Sequence, residues 1–283
     1  MAHSPVSART LAQTLARARY EAILRETYPD ILAPGLCDRR DTVQPRQSGD
    51  ERLARGRRQR GSAMKLIVGN KNYSSWSLRG WLAMKQSGLA FEEITVPLFG
   101  EDWELVKQQD GDIQPSHGKV PILWDGDAVV WDSLAILEYL ADRVGRDRFW
   151  PKEDDARAMA RAMVCEMHSG YQALRSECPM NIRRRFEGAV LSDEARGDVV
   201  RILQLWAEAR ARFGSGGPFL FGTFGAADVF YAPVVSRFIT YQLAVPGFAA
   251  AYMQAVWEHE WIKAWIAASE DEEWVIERYE QLA

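Results

Sequence analysis

Between Met64 and Gly145 the apolar residues switch back and forth between strand-like and helix-like spacing, and beyond Gly145 strand-like spacing does not return. That switch restricts the chain to a β/α unit followed by an all-helical one. Residues 65–70 (KLIVGN) form a short apolar strand, and 71–75 a polar loop. Helical spacing then runs over 77–87 through Leu78, Trp81, Leu82 and Lys85, with Gly88 as its stop. Residues 91–98 alternate as a half-buried strand, and the polar stretch 99–118 contains a short irregular helix. Two apolar runs, 120–124 and 128–131, flank Asp125-Gly126-Asp127, and Asp-Gly in that setting predicts a hairpin. A helix over 132–144, apolar at Leu134, Leu137, Leu140 and Ala141, completes the order β-α-β-α-β-β-α.

The first unit spans 64–146, and 147–155 is a linker, polar apart from Phe149-Trp150-Pro151. In the second unit, 156–283, Ala156, Met159, Ala160, Met163, Val164 and Met167 share one helix face. A methionine stripe of this kind is read as core packing rather than a cofactor box. Further helices are expected over 192–213, ended by the glycines of 214–217, and over 226–242, 247–257 and 260–268. The 226–242 run is apolar enough to be buried, and a short acidic segment and tail follow the last helix.

Charge divides the chain at the same place. Residues 1–63 carry 12 Arg against 7 Asp/Glu, a net +5, whereas the remainder holds 23 Lys/Arg against 32 Asp/Glu, a net −9. The Arg-rich leading segment is compatible with a nucleic-acid-binding arm or a targeting peptide, and is read in preference as a disordered or non-native extension before a protein that begins at Met64, with a short helix within 10–26. An acidic body does not suggest a nucleic-acid surface. No run approaches the roughly 18 apolar residues of a membrane span, so no membrane partner is expected. Cys37, Cys165 and Cys178 make no CxxC pair, and with the scattered His3, His117, His168 and His259 they suggest no metal site. So sparse a cysteine set fits a reducing compartment, and a cytoplasmic location is expected.

Five segments, in this order, resemble the glutathione S-transferase family over about residues 65–268. Tyr73-Ser74-Ser75-Trp76-Ser77-Leu78-Arg79 resembles the serine motif of zeta-class and theta-like members. Gly118-Lys119-Val120-Pro121-Ile122-Leu123 is similar to the segment that carries the family's cis-proline. Trp131-Asp132-Ser133-Leu134-Ala135-Ile136 resembles its acidic-Ser pair at a helix start, and Phe149-Trp150-Pro151 its interdomain link. Gly225-Ala226-Ala227-Asp228 resembles its buried helix cap, with Gly225 where the family usually has Ser or Thr. The resemblance implies an α/β thioredoxin-like N-terminal domain plus an all-α helical-bundle C-terminal domain. It also implies glutathione as co-substrate without a metal, a small-molecule electrophile as second substrate, and a homodimer.

The chemistry it implies is physically sufficient. A thiol near pKa 8.5 is only about 3% ionised at neutral pH, and the thiolate is the nucleophile. Lowering that pKa by two units takes about 2.7 kcal/mol. One hydroxyl donor to a charged acceptor supplies roughly 1.5–3 kcal/mol, and amides at a helix N-terminus add to it. By match to the motif, Ser74 is the first choice of thiolate donor and Ser75 the second; helix capping is the competing role for both. Val120, before Pro121, corresponds to the residue whose backbone pairs with the cysteinyl unit of glutathione. Lys119 is placed to meet the glycine carboxylate or to stay solvated. Asp132 and Ser133 suit the ammonium and carboxylate of the γ-glutamyl end, and Asp132 is also a natural N-cap. Trp76 stands where zeta-class isomerases have a cysteine, which counts against that isomerisation. Arg183, Arg184 and Arg185 are read as a solvated helix start rather than an anion site. The resemblance leaves three alternatives to conjugation: a non-catalytic interaction protein like stringent starvation protein A, a glutathione-dependent isomerase, and a peroxidase.

Overall fold

The computed structural model describes residues 64–100 and 103–281. The leading segment, its expected helix and Cys37 lie outside the described residues. Strand β1 (Met64–Gly69) pairs in parallel with β2 (Phe91–Val96) and antiparallel with β3 (Ile122–Asp125), which forms the hairpin with β4 (Ala128–Trp131). The sheet order β2-β1-β3-β4 is that of a thioredoxin-like domain. As the central strand, β1 buries both faces, because successive side chains point to opposite sides. Leu66 and Val68 join the main core, whereas Ile67 packs with Val96, Trp103, Ile113 and Ile122 on the other side. The polar stretch therefore supplies a real cover through α2 (Trp103–Gln109) and a 3-10 turn at Gln114–Ser116.

The strand ends follow from proline. β2 stops at Val96 because Pro97 has no N–H to give the ladder, two residues short of the sequence reading. β3 begins at Ile122, beyond the cis Val120-Pro121 bond. Helix α1 (Ser75–Ser87) ends at Gly88, whose φ of +71° suits glycine, and α3 (Ser133–Val144) is capped by Asp132.

The second domain consists of α4 (Asp154–Ser169), α5 (Gln172–Glu177), α6 (Asp193–Phe213), α7 (Ala226–Thr240), α8 (Gly247–Trp257) and α9 (Glu260–Glu270). Helix α5 was not anticipated; its six residues are too few to show a period. In α7 every residue except Ile239 is buried. Trp206 of α6 is the centre of an aromatic cluster, with ring centroids 4.8 Å from Tyr252, 5.5 Å from Phe238 and 5.7 Å from Tyr231. The linker is itself core: Phe149 and Trp150 are buried, and the Phe149 carbonyl accepts from the Ala226 N–H at 2.8 Å. No helix starts at Arg183–Arg185, which corrects the sequence reading. The segment is irregular because Asn72 and Asn181 side chains take its N–H groups: Arg183 donates to Asn72 Oδ1 (2.9 Å) and Arg184 to Asn181 Oδ1 (3.3 Å).

The same contact explains Gly225. A Cβ there would lie 3.0 Å from the Phe149 carbonyl oxygen, too close for Ser or Thr without a shift. Asp228, fully buried, instead accepts the Gly225 N–H at 2.9 Å and the Leu220 N–H at 3.1 Å. Burial raises its carboxyl to about 6 against those two donors. A raised native-state value means that protonation favours the fold: Asp228's contribution is complete below about pH 4 and lost as pH rises through about 6. Measured by urea unfolding, Asp228→Ala is expected to cost about 2–5 kcal/mol through two orphaned N–H groups. The stability of the native chain relative to Asp228→Asn is expected to fall between about pH 4 and 6 and to run level above that window.

Candidate functional site

A cavity of about 940 Å³ opens where the two domains meet. Its walls come from the start of α1 (Tyr73, Ser74, Ser75, Trp76), the segment before β3 (Ser116 through Pro121) and the end of β4 (Trp131, Asp132). The helical domain adds Arg175, Pro179, Met180 and Arg237, and the C-terminal segment adds Ile276 and Tyr279. Of the residues singled out in sequence, Ser74, Ser75, Lys119, Val120, Pro121 and Asp132 all line it. Ser133 does not, being fully buried at the first position of α3.

The two serines differ in their partners. Ser74 is the N-cap of α1: its Oγ accepts the Ser77 N–H at 3.3 Å and donates to Ser77 Oγ at 2.8 Å. Ser77 Oγ in turn accepts the Gly69 N–H at 2.8 Å, tying the helix start to the end of β1. Ser75 Oγ accepts from Arg237 Nη2 at 3.4 Å. Its own proton has no acceptor in this network. Both hydroxyls thus reach the cavity, and only the first is committed to capping.

Around the other walls, Gly118 has a φ of +75°, and a Cβ there would meet the Lys107 side chain at 2.2 Å, so glycine is required for the Lys107 stem to cross it. Lys119 is exposed at the cavity rim. Asp132 sits at φ +75°, a strained position for a non-glycine residue, worth about 1–3 kcal/mol. One of its oxygens accepts the Leu134 N–H (2.8 Å) and Ala135 N–H (3.4 Å), and the other lies 3.4 Å from His168 Nε2. Asp132 is therefore an N-cap with one oxygen also facing outward from the cap. The Ser133 hydroxyl is buried and has no partner in the described structure. Buried hydroxyls without partners are rare, and one beside a cavity-lining residue is a natural place for a ligand acceptor.

Several site residues were not anticipated. The acidic tail folds back over the α1 loop: Glu272 accepts the Lys71 N–H (2.6 Å) and Asn72 N–H (3.1 Å), and Tyr73 donates to Glu280 at 2.5 Å. Burial raises the Glu272 carboxyl against those donors. Arg175 and Arg237 were missed as well, although an arginine inside the strongly apolar α7 is a signal that a sequence can show. Cys178 is buried beside this wall, and burial pushes its thiol up to about 12, so it is no nucleophile near neutral pH. Among the described residues no group of three or more His, Cys, Asp and Glu is gathered to hold a metal, and no helix is long and apolar enough to cross a membrane.

A thioredoxin-like domain, a helical domain and a cavity at their junction, opening at the N-terminus of α1, define a class of two-domain protein with a small-ligand site. Residues 73–143 match the glutathione S-transferase N-terminal domain, and residues 189–268 match the C-terminal domain of the same family. This chain belongs to the glutathione S-transferase family. Among curated relatives, glutathione S-transferase Z2 of Arabidopsis thaliana is 34% identical over 108 residues, 36% of this chain and 46% of that protein. Glutathione S-transferase U10 of the same plant is 30% identical over 101 residues, 35% of this chain and 41% of that one. The chain thus matches less than half the length of these curated relatives. A glutathione transferase homolog from Burkholderia, solved with bound glutathione, superposes with a TM-score of 0.56 at 20% identity, over 75% of this chain and all of that one. Maleylacetoacetate isomerase from Anaeromyxobacter dehalogenans, also solved with glutathione in its active site, gives 0.51 at 21% identity, over 72% of this chain and 94% of that one. At such identities these two structures establish the shared fold.

The capping difference between the serines is measurable without any ligand. Ser74→Ala is expected to lower unfolding free energy by about 1 kcal/mol through loss of the N-cap. Ser75→Ala removes no cap, and the Arg237 bond it gives up is long at 3.4 Å, so a loss of no more than about 0.5 kcal/mol is expected. Chemical denaturation of the two variants side by side checks this.

Proposed function

We propose that this chain is a glutathione transferase: it binds glutathione along the α1–β3–α3 edge of the cavity, holds its sulfur as a thiolate and delivers it to a small electrophile. The observation that carries the reading is the placement of two serine hydroxyls at the first turn of α1, on the wall of a cavity that also exposes Val120 and Asp132. In this reading the tripeptide lies with its cysteinyl backbone against Val120 and its glycine end toward Lys119. The γ-glutamyl ammonium goes to Asp132, and the γ-glutamyl carboxylate to the Ser133 hydroxyl and the N-terminus of α3. The fit at this end rests on Asp132, which lines the cavity, and on the adjoining Ser133 Oγ, a donor without an acceptor among the described residues. Thiolate stabilisation comes from Ser74 or Ser75 together with the amides of the first turn of α1. A homodimer in a reducing, cytoplasmic setting belongs to the same proposal.

Retention on glutathione-agarose separates this reading from a non-catalytic interaction protein of the same fold, which would pass through the resin. A thiolate absorbance titration of bound glutathione in the native chain, Ser74→Ala and Ser75→Ala then locates the donor. One variant is expected to lose most of the thiolate signal near neutral pH; retention in both removes the serines from catalysis. Ser133→Ala is expected to raise the glutathione Kd by about tenfold or more, the worth of one hydrogen bond to a charged group, while melting as the native chain does. Calorimetric titration and a thermal melt measure the two.

A further inference from the structure

Three guanidinium groups gather around Trp76 and Ser75, and among the described residues no carboxylate pairs with them. Arg79 Cζ lies 3.9 Å and Arg175 Cζ 4.9 Å from the centre of the Trp76 ring, and Arg237 Nη2 lies 3.4 Å from Ser75 Oγ. Arg79 and Arg237 are 1% and 4% exposed, and Arg175 and Arg237 line the cavity. All their hydrogen-bond partners among the described residues are neutral. Arg237 donates to the Cys178 carbonyl (2.9 Å) and the Pro233 carbonyl (3.1 Å), and Arg175 to the carbonyls of His168 and Gly170 (both 3.3 Å). Arg79 reaches only Met167 Sδ at 3.6 Å, leaving its Nε and Nη2 without partners among the described residues.

Burial weakens the hold of all three on their protons. Arg175 acts further in that direction on both Arg79 and Arg237, and Arg237 on Arg79. Asp132 opposes this at Arg79, but its oxygens already serve the α3 N-terminus and His168. Carbonyls and ring faces return only part of what each cation loses on leaving water. Buried cations in proteins are as a rule matched by an anion. Here the open side of the cluster is the cavity itself, on the side of Ser75.

We propose that the cavity takes an anionic second substrate, a small electrophile whose carboxylate binds between Arg175 and Arg237 beside the reacting sulfur. This rests on the glutathione transferase reading and adds the substrate class to it. In a displacement, the thiolate sulfur forms the new carbon–sulfur bond, and the bond from that carbon to its leaving group breaks with the electron pair departing on the leaving group. The carboxylate is unchanged throughout. Its work is to anchor the electrophile so that the reactive carbon faces the sulfur, and to neutralise a cluster that is otherwise unpaired.

Equilibrium binding of two product analogues tests this without depending on turnover. S-benzylglutathione and S-(para-carboxybenzyl)glutathione differ only in the carboxylate. By isothermal titration, the carboxylated analogue is expected to bind the native chain at least tenfold more tightly. Arg175→Gln is expected to bring the ratio near unity and Arg175→Lys to restore part of it. Arg237→Met serves as a second variant, checked by circular dichroism, and the Arg175 pair decides if it does not fold. Equal affinities in the native chain overturn the anion site and leave the transferase reading standing. A preference that survives both Arg175→Gln and a folded Arg237→Met places the anion elsewhere and also overturns the assignment. Failure of both analogues to bind at all overturns the glutathione reading and this one with it.

Discussion

Helix α1 is the element on which both domains close. All of its residues except Trp76 and Lys85 are buried, so it behaves less as a surface helix of the β/α domain than as a shared core. Leu78 and Leu82 belong to the same continuous cluster as Phe230 and Tyr231 of α7, and Arg79 packs against both Phe230 and Met167. Gln86, near the other end, donates to the carbonyls of Arg148 (2.7 Å) and Phe224 (3.1 Å). Fixing one helix in this way fixes the position of its N-terminus relative to both domains. A close-packed interior leaves little freedom for that end to move. The cavity therefore opens at a rigid helix start instead of on a free loop.

What surrounds that start is assembled from distant parts of the chain. The hydrogen bonds from Gly69 through Ser77 to Ser74 hold it from the strand side. Glu272 and Glu280 hold the preceding loop from the far end of the chain, and Trp265 donates to the Lys71 carbonyl at 3.0 Å. Thus the tail serves the site as a strap: Glu272 accepts two backbone N–H groups that the loop would otherwise leave to water, and Glu280 accepts the Tyr73 hydroxyl. Asp228 does equivalent work at the start of α7, and α7 carries Arg237 into the cavity wall. The charged residues of the interior are in each case tied to the site or to a helix end that positions it.

The legible part of this molecule was local. The hairpin at Asp125-Gly126-Asp127, the stop at Gly88, the methionine stripe of α4 and the buried run of α7 each lie within a few residues and have a period or a turn residue to mark them. Ser74, Val120 and Asp132 were singled out through the family resemblance of the segments that hold them, and each sits at an element boundary, where capping residues and proline mark the sequence. Helix α5 was too short to show a period, and the run Arg183–Arg185 looked like a helix start because nothing local reveals that Asn72, over a hundred positions earlier, takes the Arg183 N–H.

Alone, the sequence determined the order of elements, the boundary between a β/α unit and a helical one, and the residues at the first turns of α1 and α3. Tertiary structure decided which faces of those elements meet. It turned an acidic tail into a strap, set the Phe149 carbonyl close against position 225, and gathered Arg79 and Arg175 around Trp76 with Arg237 beside Ser75. The physical reason is range. Hydrogen bonding and periodicity act over a turn or two of chain and are written in neighbouring residues, whereas packing and the burial of charge depend on groups brought together only by the whole fold.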